Sequence, residues 1–208
     1  MRKDFIKKRN TAKRREKPVY LLVVEGWNVT ESNYFQGFQC QESNVNIKIL
    51  RPNSVTDPKK MLSELRKKQK SLQLNLKKGD KLFLIADLDC DEEKAKTIRE
   101  LMDKNKDVDF IISNPCFEIW FLLHFIYSTK SYNDGKQLIK ELRKHIPDYE
   151  KCTDVLDILS DKTEVAIKNA EKLEKYFESI GAQWPGEECN PRTDVNRIVG
   201  KIKNNKNN

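Results

Sequence analysis

Acidic residues that follow directly on apolar runs are the side chains of this chain best placed to do chemistry. "LLVVEG" closes on Glu25 and Gly26, "KLFLIADLD" on Asp87 and Asp89, and "SNPCFEIW" carries Glu118 inside an otherwise apolar stretch. A carboxylate at the end of a buried strand is either solvated or serves as a ligand or proton carrier. Asp87 and Asp89 are two residues apart, so on an extended strand they would share a face about 7 Å apart. Such a pair suits Mg²⁺, a hard cation that binds through a few carboxylates and keeps waters for substrate phosphates. An Asp-x-Asp pair alone is a weak signal, since strand ends often carry solvated Asp; the Glu-Gly strand end upstream of it strengthens the reading. Glu118 sits among Phe117, Ile119, Trp120 and Phe121, where an unpaired carboxylate is costly, so it either faces a cation or turns outward to water.

Neighbouring polar and aromatic residues carry weaker signals. His124 reads first as a core or partner-bonded histidine and only second as a ligand. Ser113 and Asn114 either cap a helix that starts at Pro115 or position a phosphate, the cap being the simpler reading. Trp27, just past the Glu-Gly turn, can stack on a base or wedge the first helix against the sheet.

These residues need strands and helices to hold them. "VYLLVVE", "VNIKIL", "KLFLIAD" and "VDFIIS" read as four strands, each an apolar run without helical spacing. Between them lie helices: one starting at Thr30 with Tyr34, Phe35 and Phe38 on one face, and one opened by Asp57-Pro58 with Met61, Leu62, Leu65, Leu72 and Leu76 as its stripe and Gly79 as its stop. A third is capped by Asp91, with Ala95, Ile98, Leu101 and Met102 facing the core. Strands alternating with helices predict an α/β fold with a mostly parallel sheet. Ligands of such sheets bind at the carboxyl ends of the strands, where Glu25, Asp87 and Asp89 would converge. After Asn114 the pattern is helical, through "PCFEIWFLLHF", "GKQLIKELRKH", "TEVAIKNAEKLEKYFESIG" with Gly181 as its stop, and "TDVNRIVGKI". The expected organisation is a basic flexible arm over 1–17, an α/β core over 18–130, a helical extension over 131–202 packed on the sheet, and a flexible tail over 203–208.

Charge is unevenly placed in the 208 residues. The net charge is +8, but residues 1–17 hold nine Lys/Arg against Asp4 and Glu16, and the last eight residues add three lysines, which leaves the body near neutral. The stretch from Asp57 to Lys78 carries eight Lys/Arg against two acids, giving one helix a positive face. Such an arm and helix suit a phosphate backbone, whose binding is driven by counterion release; solvated charge without a partner is the alternative. Arg14, Arg15, Lys59, Lys60, Arg66 and Lys67 are the candidate nucleic-acid contacts. Five cysteines never approach CxxC spacing and only His124 and His145 could join them, which argues against a zinc site. Their odd number without a secretory signal reads as reduced thiols of a cytoplasmic protein. The longest apolar stretch, "FEIWFLLHFIY", is 11 residues long and contains Glu118 and His124, too short and too polar to span a membrane.

Strand-Glu-Gly followed by strand-Asp-x-Asp resembles the Toprim domain of topoisomerases, primases and several nucleases. Together with "EGWNVTESNYF", "IADLDCDEEKA", "SNPCFEIWFLLHF", "YEK" at 149–151, "AIKNA" at 166–170 and "NPRTDVNRIVGKI", the chain resembles the RloB family, AbiLii-like proteins of bacterial phage defence, from about Lys17 to Ile202. The resemblance implies a Toprim-like core with Glu25 as general acid or base and Asp87 and Asp89 on Mg²⁺ or Mn²⁺, with Glu118 and Glu31 as further ligands. Glu31 stands six residues after Glu25, one more than the family spacing. The resemblance also implies nuclease activity on RNA, tRNA included, or DNA, and control by an ATPase partner. A nucleic-acid-binding or partner-binding module without turnover, and an Asp-x-Asp glycosyltransferase, fit the same residues. Oligomeric state is left open.

Overall fold

The computed structural model describes residues 17–25, 30–39, 44–52 and 56–204. Arg14, Arg15 and Trp27, with the rest of the arm before Lys17 and the last four residues, lie outside the described residues.

Five strands form one sheet: β1 (Val19–Val23), β2 (Asn46–Leu50), β3 (Lys81–Asp87), β4 (Asp109–Asn114) and β5 (Arg192–Thr193), in the order β2-β1-β3-β4-β5. The first four are parallel, as the alternation of strands and helices predicts, and β5 pairs antiparallel with the end of β4. Helices α1 (Thr30–Gln36), α2 (Pro58–Ser71) and α3 (Glu92–Lys104) make the crossovers. After β4 come α4 (Glu118–Leu122), α5 (Gly135–Leu142), α6 (Leu156–Leu159), α7 (Thr163–Ser179) and α8 (Val195–Asn204).

Apolar runs become strands here because both faces of the sheet are covered. Successive strand side chains point to opposite faces, so β1 sends Leu21 and Val23 to one core and Tyr20 and Leu22 to the other, while β3 divides Leu84 from Phe83 and Ile85 in the same way. One core is closed by Met61 and Leu65 of α2 and Ala95 and Ile98 of α3. The other is closed by Tyr34 and Phe35 of α1 together with the helices of the C-terminal part, including Leu173 of α7 and Ile198 of α8. The helical extension thus packs on the sheet and shares its core.

Three local expectations are corrected. Helix α2, opened by Asp57 accepting from the Lys60 N–H at 2.8 Å, stops at Ser71, so Leu72 and Leu76 do not continue its stripe; Gln73 turns the chain at φ 53°. Gly79, at φ +102°, ends a separate 3₁₀ turn over Leu76–Lys78. Pro115 does not open α4, which begins three residues later at Glu118 with no side-chain cap. Ser113 and Asn114 instead face the C-terminal part: the Ser113 and Thr193 hydroxyls bond at 2.8 Å, and Asn114 Nδ2 donates to the carbonyls of Gly186, Glu187 and Cys189 at 3.2 Å each. Those bonds fix β5 and its approach loop against β4.

Among the described residues no helix is long and apolar enough to cross a membrane. Cys90, Cys116, Cys152 and Cys189 are free thiols.

Candidate functional site

From β1 the chain steps outward to β2 and then returns across β1 to β3. That reversal leaves a crevice outside the carboxyl ends of β1 and β3, the place where open α/β sheets bind ligands. Glu25 follows β1 and Asp87 ends β3, so both stand beside it. Glu31 comes from the first turn of α1, and Glu118 begins α4 just beyond the end of β4. All four are buried: Glu25 is 6%, Glu31 3%, Asp87 4% and Glu118 2% exposed.

Asp89 behaves differently. The strand stops at Asp87; the N–H groups of Leu88 and Asp89 then donate to the carbonyls of Ser113 and Pro115, and Asp89 takes φ +56°. Asp87 and Asp89 therefore do not share a strand face, and the Asp89 side chain is 63% exposed at the rim. A left-handed backbone is uncommon for a non-glycine residue, and here it turns the Asp89 carboxylate toward Lys94.

Two lysines answer the acids. Lys94 Nζ donates to Glu25 Oε1 at 2.9 Å and to Asp89 Oδ2 at 3.0 Å. Lys151, from the loop after α5, is electrostatically coupled to Glu118, Asp87 and Glu31. Burial alone would lower both ammonium groups, but the surrounding carboxylates outweigh it and hold each above its ordinary value. Tyr149 donates its hydroxyl to Glu118 Oε1 at 3.2 Å; burial and the Glu118 charge push that phenol up, so it stays a donor.

The carboxylates remain crowded even so. Burial first, then repulsion from Glu31, Glu25, Glu118 and Asp89, drives Asp87 well above the usual carboxylate range. Glu25 is raised by burial, with Lys94 pulling the other way. Glu31 is pushed up to about 8, by burial and by Glu118 and Glu25, and its buried Oε2 has no hydrogen-bond partner among the described residues. Among the described residues no three His, Cys, Asp or Glu side chains form a ready-made cage for an ion: Lys94 holds Glu25 and Asp89, and Tyr149 holds Glu118.

The raised Glu31 gives stability a direction with pH. Between the ordinary value of 4.5 and about 8 the folded state binds more protons than the unfolded one, so this contribution is full below about pH 4.5 and is lost as pH rises toward 8. The metal-free protein should melt several degrees lower at pH 8 than at pH 5.5, at about 2–4 °C per kcal/mol for a chain of this size. Glu31→Gln should flatten that dependence, as read by calorimetry or dichroism across the same pH series; an equal slope in both proteins would assign the effect elsewhere.

His124 is structural. Its Nδ1 bonds the Trp120 carbonyl at 2.8 Å, its ring meets the Trp120 ring edge-on, and burial pushes it down to about 4. On α2, Lys59 and Lys60 are exposed in the first turn, at the carboxyl end of the sheet, and Lys59 lines a groove of about 420 Å³ with Lys67 and Lys70. Arg66 is committed to the fold, gripping Asp107 with two bonds of 2.6 Å and Asn105 with one of 3.1 Å. Lys67 pairs with Glu64 at 2.7 Å.

Lys94, Tyr149 and Lys151 are the site residues that sequence reasoning does not single out. Lys94 had one available signal: it stands in the first turn of α3, where the helix dipole disfavours a cation. Tyr149 and Lys151 lie in "YEK", which marks the resemblance without indicating that it returns to the acids.

A family model described as RloB-like protein matches residues 20–202. No curated protein and no solved structure matches the chain.

Proposed function

The chain belongs to the RloB-like protein family, and from that membership and the acid-lined crevice we propose that it is a Mg²⁺- or Mn²⁺-dependent, Toprim-type nuclease. Its setting is cytoplasmic phage defence, under the control of an ATPase partner, as the resemblance to RloB proteins implies. One observation carries the reading: four buried carboxylates, from the end of β1, from α1, from β3 and from α4, crowd one crevice, and Glu31 Oε2 has no partner among the described residues. Buried like charges are unfavourable unless a cation joins them, and an all-oxygen donor set suits a hard divalent ion. Asp87, Glu31 and Glu118 would hold it from inside the crevice, with Glu25 and Asp89 at the mouth.

When bound, the ion supplies charge neutralisation at the phosphate and a polarised water. Glu25, whose carboxylate is already displaced toward protonation, takes up or delivers the proton. Tyr149 fixes the orientation of Glu118. Lys59 and Lys60, exposed at the same end of the sheet, meet the phosphate backbone, joined by Lys67 and by Arg14 and Arg15 of the arm; Trp27 offers a stacking surface.

Labelled RNA and DNA incubated with the protein and its active ATPase partner test this. Cutting should require Mg²⁺ or Mn²⁺ and cease with EDTA, and Lys59→Ala/Lys60→Ala should weaken binding and reduce the slope of log affinity against log salt by about 1–2. Tight, salt-dependent binding with no cutting of either nucleic acid would favour a binding module instead.

A further inference from the structure

Lys94 is hard to explain as a helix residue. It occupies the third position of α3, after the Asp91 cap and the acids Glu92 and Glu93 that suit a helix start; a cation there opposes the helix dipole. Its side chain is only 13% exposed, although lysine loses both hydration and rotamer freedom on burial. What it gains is two charge-assisted hydrogen bonds, at 2.9 and 3.0 Å, to carboxylates that come from the ends of two different strands. One of those, Asp89, reaches it through a left-handed backbone. The ammonium thus lies where the two acids at the crevice mouth converge, while deeper in the crevice Glu31 Oε2 finds no donor among the described residues.

We propose that Lys94 is an internal counter-ion of the crevice: in the metal-free protein its ammonium occupies the place of a cation between Glu25 and Asp89, and a divalent ion has to displace it to engage both carboxylates. The inference rests on the reading of the crevice as a metal site and adds to it a resting state, in which Glu25 and Asp89 are neutralised from within and the chain does not load metal at low concentration. Loading then requires either abundant metal or a movement of the start of α3. That turn is tied to the 185–187 loop, through the Glu92 carboxylate accepting from the Glu187 N–H at 3.1 Å and through Arg99, which donates to Glu92 at 2.6 Å and to the Pro185 carbonyl.

Calorimetry with Mn²⁺ alone tests the proposal without any nuclease assay. Lys94→Met and Lys94→Gln should bind Mn²⁺ about tenfold more tightly or better, because a like unit charge a few ångströms away repels the ion strongly even with effective interior screening. Lys94→Arg, which keeps the charge, and Lys96→Met, which removes an exposed charge on the same helix, should bind as wild type does. Melting curves give a second readout: Lys94→Met leaves Glu25 buried without its partner and should melt lower without metal, and saturating Mn²⁺ should raise its melting temperature by more than it raises that of wild type. Equal or weaker Mn²⁺ binding by both neutral variants would overturn the counter-ion role, as would absence of Mn²⁺ binding in every form. Tighter binding by those variants with no nucleic acid cut by wild type and its partner would leave the counter-ion standing and remove the nuclease reading.

Discussion

Glu25→Gln should lower nucleic-acid cleavage by more than about 100-fold, the usual scale for loss of a general acid or base, while Mn²⁺ and nucleic acid still bind. Gln has the same shape and can still accept from Lys94 Nζ, which lies 2.9 Å from Glu25 Oε1, but it cannot carry a proton. Asp87, Glu31 and Glu118 are untouched, so the deep part of the crevice keeps its oxygen donors. Single-turnover cleavage, calorimetry with Mn²⁺ and a binding assay with labelled substrate separate the three quantities. Full cleavage by the variant would remove Glu25 from the chemistry, and loss of Mn²⁺ binding would make it chiefly a ligand.

Asp87→Asn should do the opposite on the binding side, abolishing Mn²⁺ binding and, with it, more than about 100-fold of the cleavage rate. Asp87 is 4% exposed and is the carboxylate on which Glu31, Glu25, Glu118 and Asp89 all press. Removing its charge relieves that repulsion, so the metal-free variant should melt at or above the wild-type temperature. A loss of several degrees would mean that Asp87 chiefly holds the fold together; Mn²⁺ affinity equal to wild type would place the ion elsewhere.

The sheet was legible because its strands are buried on both faces and therefore read as unbroken apolar runs, as in β1 and β3. The convergence of Glu25 and Asp87 followed from parallel topology alone. What did not follow depends on long-range contacts. The two-residue β5 has no periodicity and exists because the edge of β4 accepts it. Asp89 reads as a strand residue, yet the chain turns after Asp87 to satisfy the carbonyls of Ser113 and Pro115. Ser113 and Asn114 look like caps because those residue types cap helices, but partners more than 70 residues away claim them. A lysine at a helix start reads as solvated, and only the fold brings Lys94 to a glutamate 69 residues earlier.

The order in which the chain leaves the ribosome gives the placement of Tyr149, Lys151 and β5 a further meaning. The acids of the crevice are all present once residue 118 has been made, but the tyrosine and the lysine that answer Glu118 and the strand that covers β4 come later in the chain. A nascent chain that has reached only α4 carries the carboxylates without their inner partners and a sheet whose β4 edge is bare, a state prone to mispairing with other chains. The edge of β4 is covered only when Arg192 and Thr193 pair with Asn114 and Ser113. The inner acids therefore wait for their partners until the chain has been made beyond residue 151, and the edge of β4 waits until it has passed Thr193.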